Sequence, residues 1–136
     1  MVSGNVPGPD GKAPGVRLTL AATGPLDPAQ AWERYAEPAR WSSWSPQVRF
    51  VSTTERIRPG LRGRVDGVVP FVVLDVDEAG RRWSWVAGRR PLRVHLEHTV
   101  APAASGARTT LTLVGPPWLV LPYVPLAQLA LHRLVS

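Results

Sequence analysis

The chain has 136 residues, 44% apolar and 19% charged, which is ordinary globular usage with enough length for one hydrophobic core and not for two. It contains no cysteine, which excludes disulfide scaffolds, thiolate nucleophiles and every Cys-based zinc or iron–sulfur site. The net charge is +6, but 15 of the 16 cationic side chains are arginine, and the doublets Arg81-Arg82 and Arg89-Arg90 stand beside glycine turn signals in runs too short for a nucleic-acid patch, so no nucleic-acid partner is expected.

Gly4, Pro7, Gly8, Pro9, Gly11, Pro14 and Gly15 crowd the beginning of the chain, and residues 1–14 read as a flexible Pro/Gly-rich tail ahead of a single domain over 15–136. No basic segment is followed by an apolar one there, so a cytoplasmic location is expected. Val16, Leu18 and Leu20 alternate with Arg17 and Thr19, which predicts a half-buried strand over 15–23. Gly24-Pro25 breaks it. Asp27 then offers an N-cap side chain before Pro28, and Ala29, Trp32, Tyr35 and Ala36 give one apolar helical face over 28–36. Pro38 opens a second short helical turn with Trp41 and Trp44 on one side.

From Gln47 to Val114 the pattern predicts strands over 47–54, 61–67, 70–77, 82–87, 92–101 and 107–114. The turn signals between them call for hairpins and an antiparallel sheet. The apolar stretch Val114–Ala127 is interrupted by four prolines and is too short to span a bilayer. The last helix is expected over Tyr123–Val135, with Tyr123, Ala127, Ala130, Leu131 and Leu134 on one arc opposite Gln128, His132 and Arg133.

A sheet with one apolar face and one terminal helix buries both by curving around the helix. The segments Asp27-Pro28-Ala29-Gln30-Ala31-Trp32, Pro38 through Pro46 with its W-x-x-W-S-P run, Gly60 through Val65, Arg81 through Trp85 and Leu96 through Val100 carry a further likeness. On them the chain resembles the START-like helix-grip superfamily, in particular its small bacterial polyketide cyclase/dehydrase members, over nearly all of 16–136. The resemblance implies an α+β helix-grip fold: a curved seven-stranded antiparallel sheet, two short helices after the first strand, and the C-terminal helix held in the sheet. That helix is shorter than is usual in the family, which leaves a cavity that is smaller, more open, or completed by a second copy of the chain in a homo-oligomer.

The resemblance also implies a hydrophobic small-molecule ligand between the concave sheet face and the last helix. Period two puts Leu92, Val94, Leu96, His98 and Val100 on one face of their strand, so His98 is the one ionisable group on an apolar face. It reads either as a general acid or base tuned by burial or as a histidine that bonds a neighbour and fills space. Tyr123, on the inward arc of the last helix, either offers its phenol to a ligand carbonyl or is an amphipathic ring with a wet hydroxyl. Trp41, Trp44, Trp83 and Trp85 are candidate cavity walls or core, with Tyr35, Leu96, Ala127 and Leu131 beside them. The three histidines share no face, and no phosphate-cradle or serine-nucleophile motif is present, so neither metal nor cofactor is expected.

Two functions lead, ahead of a chaperone-type interaction module that would use the apolar Trp118–Pro125 segment as a contact patch. One is an enzyme without cofactor, of lyase or isomerase type, that assists cyclisation or dehydration of a polyketide-like molecule, with His98 moving a proton and Tyr123 steadying charge. The other is a non-catalytic carrier or sensor of a hydrophobic small molecule.

Overall fold

A computed structural model describes residues 2–7 and 14–136. In chain order the elements are β1 (Val2–Pro7), β2 (Pro14–Gly24), α1 (Pro28–Ala36), a 3-10 turn (Pro38–Arg40) leading into α2 (Trp41–Trp44), β3 (Arg62–Val65), β4 (Val69–Asp77), β5 (Arg82–Arg89), β6 (Leu92–Ala103), β7 (Gly106–Gly115) and α3 (Pro117–Leu134). The architecture is α+β, a curved open antiparallel sheet with helices on one face, hydrogen-bonded in the order β1-β2-β7-β6-β5-β4-β3. Helix α3 lies against β2 and β7, and α1 packs on β6 and β7.

The strand expectation needs two corrections. Between Pro14 and Gly115 the sheet has six strands rather than seven, because residues 47–54 do not form one. They touch β3 through a single bridge, Val51 with Val65. The cause lies in a side chain downstream: Asp66 Oδ1 accepts the backbone N–H groups of Arg49 and Phe50, which a ladder would otherwise have used. Val2–Pro7, expected as flexible tail, instead pairs antiparallel with β2, from Val2 opposite Leu18 to Pro7 opposite Pro14. The rest of the expected tail, residues 1 and 8–13, lies outside the described residues.

Helix α1 follows its signals closely. The Asp27 carboxylate accepts from Ala29 N–H at 3.0 Å, and Pro28 takes the first helical position, where no donor is needed. At the other end, the last four carbonyls of a helix lack intrahelical partners. Here each one is used. Glu33 O accepts from Glu37 N–H, Arg34 O from the Trp44 indole, Tyr35 O from the Trp41 indole, and Ala36 O from Ile57 N–H. The W-x-x-W run is thus the C-terminal cap of α1 as well as core.

Helix α3 begins at Pro117, before the expected start at Tyr123, and contains Pro122 and Pro125. Each internal proline removes a donor to the carbonyl four residues back, those of Trp118 and Leu121. Both residues lie on the exposed side of the helix, at 60% and 51% exposure. The helix ends in a tight clamp. Arg34 donates to the carbonyls of Arg133 and Leu134, and Leu26 N–H donates to Val135 O. A Cβ at Gly24 would stand 2.3 Å from Val135 O, so only glycine fits beneath the clamp. No helix among the described residues is long and apolar enough to cross a membrane.

Candidate functional site

Alternation on β6 turns Leu96, His98 and Val100 to the concave face, and the β5–β6 register sets Trp83 opposite His98 and Trp85 opposite Leu96. The result is an aromatic cluster under α2. Trp83 stacks on His98 with ring centres 4.8 Å apart and 13° between planes, and on Trp85 at 5.4 Å. Tyr35 leans on His98 at 4.6 Å, and Trp41 approaches both Trp83 and Trp85.

His98 is 3% exposed, and its Nε2 accepts the Trp85 indole N–H at 2.9 Å. A ring nitrogen that accepts carries no proton, so in this neutral ring the proton sits on Nδ1, which is buried and has no partner among the described residues. Burial pushes the His98 pKa down to about 3, because an imidazolium there would lose its hydration with no carboxylate to replace it. Tyr35 is fully buried, with its hydroxyl 2.6 Å from Thr109 Oγ1.

Two hollows lie between sheet and helix. The inner one, about 40 Å³, is bounded by the aromatic cluster, Leu111 and the middle of α3. The outer one, about 600 Å³, opens between the β3–β4 turn, the β5–β6 turn and the first turns of α3. Its interior is Trp85, Leu96, Val65, Ala87 and Val94, and its rim carries Val68, Val69, Leu92, Arg89 and Arg90.

The β3–β4 turn has positive φ at both Asp66 (54°) and Gly67 (73°), and Val68 N–H bonds to Val65 O. Positive φ at two successive positions is what Asp-Gly accommodates, and Asp66–Val68 joins strands whose ends pair at Val65 and Val69. The same Asp66 pins the backbone at Arg49 and Phe50, while Val48 N–H bonds to Ser45 O, so the loop carrying Gln47 is fixed at both ends. Gln47 Nε2 donates to the Tyr123 phenol oxygen at 2.6 Å. Burial raises the Tyr123 pKa, and the amide bond only partly offsets this, so the phenol stays protonated at ordinary pH.

The structure sorts the residues singled out by sequence into three places. Trp85, Leu96 and Tyr123 border both hollows. Trp41, Trp44, Trp83, His98, Ala127 and Leu131 border the inner one alone, and Tyr35 borders neither. His98 and Tyr123 therefore share the inner space, but only Tyr123 reaches the outer one. Gln47 borders both hollows and was not singled out, because a lone glutamine in a loop carries no signal of a partner 76 residues away.

Residues 15–135 match the family model described as polyketide cyclase / dehydrase and lipid transport. Among solved structures, the chain is similar to CalU16 from Micromonospora echinospora, with a TM-score of 0.69, 17% identity, and coverage of 99% of this chain and 81% of that one. It is also similar to Ara h 8.0201, with a TM-score of 0.70, 14% identity and coverage of 88% and 94%. A third is DynU16, a putative protein in the dynemicin biosynthetic locus, with a TM-score of 0.64, 14% identity and coverage of 88% and 49%. At these identities the likeness establishes the fold. The sequence matches no curated protein.

Proposed function

The chain belongs to the polyketide cyclase / dehydrase and lipid transport family over residues 15–135, and from that membership we propose that it takes a largely apolar, polyketide-like molecule into the 600 Å³ hollow and holds it folded for ring closure or water loss. The observation that carries this reading is the hollow itself: apolar walls, an indole floor at Trp85, and one protonated phenol, Tyr123, at its inner end. Cyclisation in such a space needs no cofactor. When a substrate enol lies against a ketone, a bond forms between the enol carbon and the ketone carbon, and the enol proton ends on the new hydroxyl. Tyr123 donates to the ketone oxygen as it gains charge, and confinement supplies the proximity. The cytoplasm is the expected location.

In this reading His98 acts through Trp85. Its Nε2 is occupied by that indole and its ring is kept neutral, so it fixes the wall of the hollow rather than moving a proton. The same observation favours a second reading, a carrier that returns its ligand unchanged. The discriminating experiment is incubation with a linear poly-β-ketone, with tryptophan fluorescence to report binding and mass analysis of the recovered molecule. Saturable quenching with loss of water, or a cyclised product of unchanged mass, supports the enzyme. Quenching with the linear ketone recovered intact supports the carrier, and no quenching removes both.

A further inference from the structure

We infer that Gln47 and Tyr123 together form a donor–acceptor pair that selects ligands carrying a phenolic or enolic hydroxyl on an otherwise apolar frame. The inference rests on the reading of the 600 Å³ hollow as the ligand site, which both residues border. Gln47 Nε2 donates to the Tyr123 oxygen, which leaves the single phenolic proton unused by the amide. The other end of the same carboxamide, Oε1, is buried and has no partner among the described residues. The phenolic donor and the unmatched amide acceptor thus belong to one pair of side chains in the wall of the hollow.

Turning the carboxamide over does not alter this. The phenol would then donate to Oε1, leaving the amide NH2 and a phenol lone pair, so that donor and acceptor capacity again remain together. A hydrocarbon satisfies neither, and an ether or an isolated ketone satisfies only the donor. A hydroxyl satisfies both at once. Because the unpaired atom is buried, a ligand that leaves it unmatched forfeits affinity, and sites built around a hydroxyl discriminate against analogues that lack it. The surrounding walls are apolar and contribute to binding without regard to the hydroxyl. The pair therefore sets selectivity, while the walls set the bulk of the affinity.

The test is a calorimetric titration of the full chain with naphthalene, 2-methoxynaphthalene and 2-naphthol, repeated with Gln47→Leu and Tyr123→Phe. The expected result is that the parent binds 2-naphthol about tenfold more tightly than 2-methoxynaphthalene. In each variant that ratio falls to within about twofold, while naphthalene binds as well as to the parent or better. Naphthalene binding also reports that a variant is folded, and Gln47→Met, which keeps the side-chain length without polar atoms, stands in for a variant that is not. Naphthalene bound with no preference among the three probes overturns the inference alone, as does a preference that survives in the variants. Failure of all three to bind the parent overturns the cavity reading and the inference with it.

Discussion

Along α3 the two ends of the helix meet the same concave sheet face with opposite results. Toward its C-terminus, Ala127, Ala130, Leu131 and Leu134 are at most 4% exposed, and the helix end is clamped by Arg34 and Leu26. Toward its N-terminus, Trp118 and Leu121 stand in solvent, two prolines interrupt the hydrogen-bond ladder, and Leu119 and Tyr123 border a hollow of about 600 Å³. One end is finished as a core and the other, Val120 apart, is left open. Stability and binding should therefore separate along the helix, and each prediction below sets one end against the other.

The largest effect is expected at the closed end. Trp41 is 2% exposed, caps the Tyr35 carbonyl through its indole N–H, and touches Phe71, Trp83 and Trp85. Trp41→Ala removes a buried ring and orphans a helix carbonyl together, and should cost about 3–5 kcal/mol in urea unfolding. A loss below about 1 kcal/mol would show that the cluster is loosely packed and that the two ends do not differ as described.

The closed end should also govern the acid limb of stability. His98 has a folded pKa near 3 against 6.5 unperturbed, so between these values the unfolded chain binds a proton that the folded chain refuses. Its contribution is fully present above about pH 6.5 and falls by roughly 1.4 kcal/mol for each pH unit below that, down to the folded pKa. Thermal melts from pH 7 to pH 5 should show a falling midpoint, and His98→Gln should flatten that slope. Glu33 and Glu78, whose pKa values Arg56 lowers, act in the same direction only at lower pH. An equally steep slope in the variant would mean that another group controls the transition.

The two ends were also unequally legible. Asp27 before Pro28 announced α1, and alternation over 92–101 announced which side chains of β6 turn inward, because both signals are local and depend only on a cap or a period. The strand expected over 47–54 failed for a reason no window around it contains: its backbone donors bond to Asp66. The start of α3 was hidden by Pro122 and Pro125, since the rule that prolines break helices holds less strictly on the exposed side of a helix. Gln47 was invisible for the same kind of reason, its meaning residing in Tyr123. The polar features that shape the open end are thus long-range, as is the clamp at the closed end, while the buried arc of the closed end is read from periodicity.

A smaller effect of opposite sign is expected from the exposed side of α3. Pro122→Ala restores an N–H that can bond to the Trp118 carbonyl and removes the clash of the ring with it, and should stabilise the chain by about 1–2 kcal/mol once the added freedom of the unfolded state is allowed for. Denaturant midpoints measure it. Destabilisation would mean that the proline is needed to seat the clamped end, so that the two halves of the helix are not independent.

The smallest effect on stability, and the sharpest separation, is expected at the rim. Leu92 is 50% exposed and borders the hollow at the start of β6, paired across the turn with Arg89. Leu92→Ser gives up little apolar burial on folding, and its change in unfolding free energy should stay within about 0.5 kcal/mol. It does remove surface that a bound aromatic ring would cover, so naphthalene should bind about two- to fivefold more weakly by calorimetry. A variant that kept its affinity would move the ligand deeper, toward Trp85 and Tyr123. One that unfolded as readily as Trp41→Ala would make the rim part of the core, and the contrast between the two ends of α3 would then have no physical basis.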